Sequence, residues 1–210
     1  MKHAGFDKIA WAYDFLAFIV FGCSQKRAQV HFMNSIPKGA NILMMGGGSG
    51  WLLKKIIELN RAEHITYVDT SSKMLALARE RVKGNSVKVE FILGDETSIS
   101  SHRCYDVIIT GFFLDLFTQS RVSQILGLIY NTLRVGGIWL QTDFALEKIQ
   151  DNPAKIFLIR LMYLFFYLIC GIEARKLPDL NSEFAALDMM EENKKYFYDN
   201  MIKTSLYKKF

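Results

Sequence analysis

Apolar residues fall into two rhythms along this chain. Ile42-Leu43-Met44-Met45 is a short apolar run that ends in Gly46, and Ile65 through Val68 is a second that ends at Asp69. Residues 87–93 form a third, ending at Gly94-Asp95, and 105–110 (YDVIIT) a fourth, ending at Gly111. A fifth, 138–142, follows Gly136-Gly137. Such runs, bounded by Gly or Asp, predict strands covered on both faces. Between them the period becomes helical. Trp51-Leu52-Leu53 and Ile56-Ile57 share a face, Thr70-Ser71-Ser72 offers N-caps to a helix reaching Val82, and Gly84 stops it. A further helix is predicted over 120–133. Ahead of the first strand, Ile9, Tyr13, Leu16 and Val20 stand at helical spacing, and a second helix is predicted over 24–35.

Strands alternating with helices at this rhythm require crossover connections and a parallel sheet between helical layers. The expected fold is α/β, a doubly wound Rossmann-like sheet, mostly parallel. Residues 194–198 and 201–207 are strand-like and joined by Asp199-Asn200, a two-residue hairpin signal, so a C-terminal antiparallel strand is expected. One domain is expected over 1–210: N-terminal helices over 1–40, a cofactor-binding core over 41–146, apolar lid helices over 147–190 and a closing β-hairpin over 191–210. Within the lid, 154–172 (AKIFLIRLMYLFFYLICGI) is apolar almost all round, broken only by Lys155 and Arg160 and followed by Arg175-Lys176. It falls short of the roughly 20 residues that span a bilayer, and reads first as a core or lid helix. A lid over a lipophilic acceptor, a helix lying in a membrane surface with basic flanks, and a dimer interface are its other uses.

Composition narrows the class. The chain has 210 residues, half of them hydrophobic and 22% charged, which suits a packed domain and excludes a disordered or fibrous one. The net charge is +5, with Lys and Arg spread along the chain and no basic stripe, so no nucleic-acid partner is expected. Cys23, Cys104 and Cys170 show no C-x-x-C spacing, and the scattered His3, His31, His64 and His102 form no ligand pair, so no metal is expected. The N-terminus carries Asp7 and Asp14 and no small-residue cleavage site. A cytoplasmic protein is expected, with membrane association through 154–172 as a variant of that reading.

In doubly wound sheets ligands bind beyond the carboxyl ends of the strands. The candidate residues are those that follow each run: Gly46, Gly47, Gly48 and Gly50, then Asp69 with Thr70, then Asp95 with Glu96, then Thr110 to Asp115, and Asp143. Glycines let a backbone approach a ligand, and the helix beginning near Ser49 aims free N–H groups at it. Asp69 follows the glycines at the distance from which a carboxylate takes both hydroxyls of a ribose. The ligand reads as a nucleoside. A dinucleotide loop needs G-x-G-x-x-G, and the sixth position is Trp51 counted from Gly46 and Leu53 counted from Gly48, which disfavours NAD.

The order G-x-G-x-G, VDTSSKMLALA, FILGDET, YDVIIT over about residues 41–145 resembles the class I S-adenosylmethionine-dependent methyltransferases. The N-terminal FDKIAWAYD is similar to the segment preceding the core in the small-molecule methyltransferases of ubiquinone and menaquinone biosynthesis. This resemblance implies S-adenosylmethionine as cofactor and S-adenosylhomocysteine as product. It also implies a glycine loop facing the methionine portion, Asp69 on the ribose, Met74 beside adenine, Asp95 and Glu96 near its amine, and Tyr13 over the cofactor. The chain departs from the family at Met44, where an acidic residue is usual two places before the first motif glycine.

Methyl transfer is an in-line displacement, so positioning and exclusion of water do most of the work. For a hydroxyl or carbon acceptor, Asp115 and Asp143 stand beyond the fourth and fifth strands as candidate catalytic bases, though either also serves as an ordinary cap. Phe112, Phe113 and Phe117 fit a small, apolar or aromatic acceptor. The expected protein is a methyltransferase for a small, lipophilic molecule, monomeric or homodimeric. A non-catalytic binding or scaffold protein, on account of Met44, and less strongly a nucleic-acid methyltransferase or a nucleotide-dependent oxidoreductase remain as alternatives.

Overall fold

The computed structural model describes residue 7 and residues 21–149 and 151–210. Tyr13 and the helical spacing of Ile9 to Val20 lie outside these residues. The chain runs α1 (Ser24–Val30), β1 (Ala40–Met45), α2 (Trp51–Glu58), β2 (Ala62–Asp69), α3 (Ser72–Arg81), β3 (Lys88–Leu93), β4 (Tyr105–Gly111), α4 (Gln119–Tyr130) and β5 (Leu133–Phe144). There follow α5 (Leu146–Ile149), α6 (Pro153–Cys170), α7 (Leu180–Ala185), β6 (Met189–Phe197) and β7 (Ile202–Lys209). Short 3-10 turns at Met33–Ser35, Glu96–Ser98 and Leu114–Leu116 punctuate it.

The seven strands form one sheet in the order β3-β2-β1-β4-β5-β7-β6. The first five are parallel, and β7 runs antiparallel to both β5 and β6. The expected sheet is therefore present, and the chain reverses its direction of travel between β1 and β4. The apolar runs explain the central strands, because successive side chains point to opposite faces. Ile42 and Met44 of β1 join Ile65, Tyr67, Val107 and Ile109 in one core, where Leu53 and Ile56 of α2 pack. Leu43 and Met45 join Val68, Ile108 and Trp139 in the other, where Ile125 and Ile129 of α4 and Phe184 of α7 pack. Each side chain is all but removed from water, which stabilises the fold by about 1.5–3 kcal/mol per large aliphatic residue.

Several boundaries differ from the sequence pattern. The helix predicted over 24–35 stops at Val30, and the chain continues through the Met33–Ser35 turn. The hairpin is not a two-residue turn: Phe197 pairs with Ile202, leaving residues 198–201 as the loop, and Tyr198, Asp199 and Asn200 all take left-handed φ of 49°, 49° and 62°. Asn and Asp tolerate that region; Tyr198 is held there by its place in the turn. Lys155 donates to the Asp199 carbonyl at 2.6 Å and lies 3.0 Å from its carboxylate, tying the start of α6 to this loop.

Helix α6 has clear stops. Asn152 caps it through Oδ1, accepting from the N–H groups of Ala154 and Lys155 at 3.1 Å each, and Gly171 ends it in the left-handed region at φ 66°. Ile159, Tyr163 and Cys170 pack on a third core with Phe112, Phe144 and Ile149, and the Tyr163 hydroxyl donates to the Asp115 carbonyl at 2.9 Å. Most of the remaining surface of the helix is exposed, so it is not the buried core helix that its composition first suggests.

Candidate functional site

The glycine loop after β1 is held by β2. Gly46 N–H donates to the Val68 carbonyl at 2.9 Å, and the Tyr67 hydroxyl donates to the Gly48 carbonyl at 2.8 Å. A Cβ on Gly47 would lie 2.2 Å from the Tyr67 ring, so only glycine lets the loop lie on that tyrosine. Gly50 adopts φ 83° at the N-cap of α2, and a Cβ there would meet the Ala78 Cα at 2.6 Å; this glycine seats α2 against α3. Beside the loop, Asp69 accepts from Gly48 N–H through Oδ2 and from Ser71 N–H through Oδ1, both at 2.8 Å. Burial raises the Asp69 carboxyl above its usual range, against the pull of these donors, and the charge of Asp7 adds to the rise. Asp7 itself accepts from the Ser71 hydroxyl and from Lys73 N–H, at the N-terminus of α3 where the helix favours an anion.

These elements border a pocket at the switch point between β1 and β4. Its lining includes Gly46, Gly47 and Gly48, Asp69, Thr70 and Met74, and Asp95 and Glu96 beyond β3. Asp95 Oδ1 accepts from the N–H and hydroxyl of Thr97 at 3.0 and 2.6 Å, which closes the Glu96–Ser98 turn. Glu96 is buried and pairs with Arg121 of α4, so its carboxylate is engaged by a side chain that also lines the pocket. Phe112, Phe113, Leu116 and Phe117 make an apolar wall. Phe112 sits at φ 52°, held by its N–H donation to the Thr142 carbonyl at 2.8 Å. A bulky side chain in that region stores strain of about 1–3 kcal/mol, a feature that concentrates at functional sites. Met44 lines the pocket with a nearly buried thioether.

Some expected residues are elsewhere. Gly50 and Thr110 do not line the pocket; the Thr110 hydroxyl accepts from Trp139 Nε1 at 2.9 Å in the core. Asp115 and Asp143, expected at the acceptor end, are drawn out of the pocket and buried against each other. Burial raises Asp115 to about 6, and burial plus the neighbouring Asp115 charge raises Asp143 well above the ordinary carboxylate range. Gln141 Nε2 donates to Asp143 Oδ2 at 3.3 Å. Two carboxyls so placed hold a proton between them, because both cannot ionise in contact.

The pocket also recruits residues that the strand-end rule does not reach. Gln25, Lys26 and Gln29 of α1 line it, with Lys26 Nζ 5.1 Å from the centre of the Trp51 ring. Their i, i+1, i+4 spacing marks one polar helical face, the signal that could have pointed to them. Arg121, in the first turn of the helix after β4, lies well past the strand end, and nothing in its spacing singled it out. Among the described residues no three His, Cys, Asp or Glu side chains cluster as a metal set.

A loop without side chains, a carboxylate at the end of the neighbouring strand and an apolar wall fit a nucleoside joined to a short chain. The open backbone at Gly48 and the acceptor atoms of Asp69 and Asp95 are the groups such a ligand needs. Fold and pocket together define a Rossmann-like nucleoside-binding class. Residues 42–137 match the family model described as Methyltransferase domain. The chain is 26% identical over 179 residues to demethylmenaquinone methyltransferase of Leptospira interrogans serogroup Icterohaemorrhagiae serovar copenhageni, covering 79% of this chain and 70% of that one. It is 30% identical over 114 residues to malonyl-(acyl-carrier protein) O-methyltransferase of Bacillus cereus, covering 54% of this chain and 41% of that one. The fold superposes on the DhpI–SAH complex with TM-score 0.70 at 15% identity, covering 99% of this chain and 95% of that one. The family model, these relatives and the fold together support a class I S-adenosylmethionine-dependent methyltransferase.

Proposed function

We propose that this enzyme methylates a small, apolar or aromatic acceptor of the quinol or phenol class. The observation that carries the reading is the wall of Phe112, Phe113, Leu116 and Phe117 on the same pocket as the glycine loop. The name of the Leptospira relative supports it. When bound, the cofactor supplies an electrophilic methyl group on sulfur. Gly46, Gly47 and Gly48 would hold its methionine portion, Asp69 would take the ribose hydroxyls, Thr70 and Met74 would border adenine, and Asp95 would face the adenine amine. Glu96 acts through Arg121, which it orients along the pocket edge. The phenylalanines would shield the reacting atoms from water and give an aromatic acceptor a surface to stack on. Asp115 and Asp143 are closed on each other away from the pocket, so alignment rather than base chemistry is what the described residues contribute, and an acceptor that enters as its oxyanion, its proton left in bulk water, needs no base here.

The test is calorimetric titration of S-adenosylhomocysteine into the enzyme and into Asp69→Ala, followed by transfer of labelled methyl to hydroquinones, phenols and a malonyl thioester. Binding that the substitution abolishes, with label on the quinol or phenol, is the expected result. Label on the thioester alone overturns the acceptor, and binding indifferent to Asp69 overturns the site.

A further inference from the structure

The exposed face of α6 has no structural reason to be apolar. Phe157 is 70% exposed, Leu168 67%, and Leu161 and Leu164 54% each, with Phe165 and Tyr167 beside them. Their 157, 161, 164/165, 168 spacing makes one continuous stripe, opposite the stripe of Ile159, Tyr163 and Cys170 that packs on the domain. A surface helix that is oily on both sides exposes a contiguous patch, and such patches mark docking surfaces. At 18 residues α6 is short for a bilayer span, although among the described residues it is the helix whose length and composition come nearest to one. Nor is it free to insert as one. Tyr163 bonds it to the turn after β4, and Lys155 bonds it to the β6–β7 loop, so it stays on the domain and offers only its outer face.

We infer that this face docks on the surface of an anionic lipid bilayer, α6 lying in the interfacial plane. Charge argues for lipid over a second copy of the chain. Arg160 is exposed within the stripe, and just past its C-terminal end the exposed Arg175 and Lys176 outnumber the exposed Glu173. At a bilayer surface Arg160 snorkels, its stem among acyl chains and its guanidinium at the phosphates, while Arg175 and Lys176 add attraction of the same sign. An antiparallel two-fold pairing of the same stripe would centre near Leu161 and Met162. It would bring the two Arg160 side chains together out of water, a repulsive contact. The helix also lies one layer from the pocket: Ile159 and Tyr163 share a core with Phe112, and Leu116 accepts from Ala174 N–H at 3.2 Å just beyond α6. Docking there brings the apolar wall to the phase in which a lipophilic acceptor is dissolved, a consequence that rests on the proposed acceptor class, whereas the docking itself does not.

Flotation of the full chain with vesicles of phosphatidylglycerol and phosphatidylethanolamine, against vesicles of phosphatidylcholine alone, tests this. The variants are Leu161→Gln/Leu164→Gln/Leu168→Gln and Arg160→Gln, each checked by thermal melting and by S-adenosylhomocysteine titration. All substituted side chains are exposed and glutamine keeps the helix, so folding and cofactor affinity are expected to hold. Wild type is expected to float with the anionic vesicles. The triple variant should lose more than about tenfold in partitioning, and Arg160→Gln about fivefold, the loss of roughly 1 kcal/mol per basic residue near an anionic surface. Wild type that stays in solution, or a triple variant that floats as well, overturns the inference. A dimer in solution that the triple variant splits, with no flotation, overturns it in favour of a second copy. Flotation without S-adenosylhomocysteine binding sustains the docking surface and sinks the proposed cofactor contacts instead.

Discussion

The backbone N–H of Gly48 donates to Oδ2 of Asp69 at 2.8 Å, closing the glycine loop onto the carboxylate at the end of the adjacent strand. Asp69 thus has two tasks, holding the loop and presenting oxygen atoms to the pocket. Asp69→Ala is expected to weaken S-adenosylhomocysteine about 10- to 100-fold, since a hydrogen bond to a charged group contributes roughly 1.5–3 kcal/mol. Asp69→Asn keeps one acceptor oxygen and loses less. Equal affinity of all three proteins by calorimetry would remove Asp69 from the site.

Gly50 and Gly48 both take positive φ but differ in their surroundings. A Cβ on Gly50 meets the Ala78 backbone, whereas one on Gly48 meets nothing within 4 Å. Gly50→Ala is therefore expected to cost about 3 kcal/mol in denaturant unfolding, the left-handed penalty plus overpacking, and Gly48→Ala only about 1 kcal/mol. The order reverses for cofactor affinity, because Gly48 borders the pocket and Gly50 does not.

The Asp115–Asp143 pair makes stability depend on pH. Burial raises Asp115 to about 6, and Asp143 rises well above its ordinary value by burial and then by the Asp115 charge. Both stand higher than in the unfolded chain, near 3.9, so the folded protein binds more protons in the interval. The pair's contribution is complete below about pH 4 and is lost as pH rises through about 6 and beyond. Asp143→Asn puts an amide donor against Asp115 in place of the shared proton. Its melting temperature should exceed that of wild type at pH 8 and vary less between pH 5 and 8. If the two melting profiles run parallel, the shared proton is not there.

Phe113 faces the pocket 5.1 Å from Phe117, ring centre to ring centre. Phe113→Leu is expected to raise KM for a quinol or phenol acceptor about tenfold, the worth of one aromatic contact, with S-adenosylhomocysteine affinity within twofold. A change confined to cofactor affinity would move the acceptor wall elsewhere.

The amino-acid sequence by itself determined the sheet and the cofactor end of the pocket. Runs such as Ile42 to Met45 and Val107 to Ile109 must be covered on both faces, and only a parallel sheet between helical layers does that. Gly46, Gly47, Gly48, Asp69 and Asp95 follow strand ends, and strand ends in such a sheet meet at one edge, so local spacing was enough. Tertiary structure alone decided the rest, because it depends on which side chains from distant segments find each other. Glu96 meets Arg121, Thr110 meets Trp139, and Gln25, Lys26 and Gln29 reach the pocket from a helix ahead of the sheet. Asp115 and Asp143 look like any two carboxylates after strands, yet burial turns them toward each other and away from the pocket. An apolar helix reads alike in sequence whether covered or bare, and only packing left the outer stripe of α6 facing solvent.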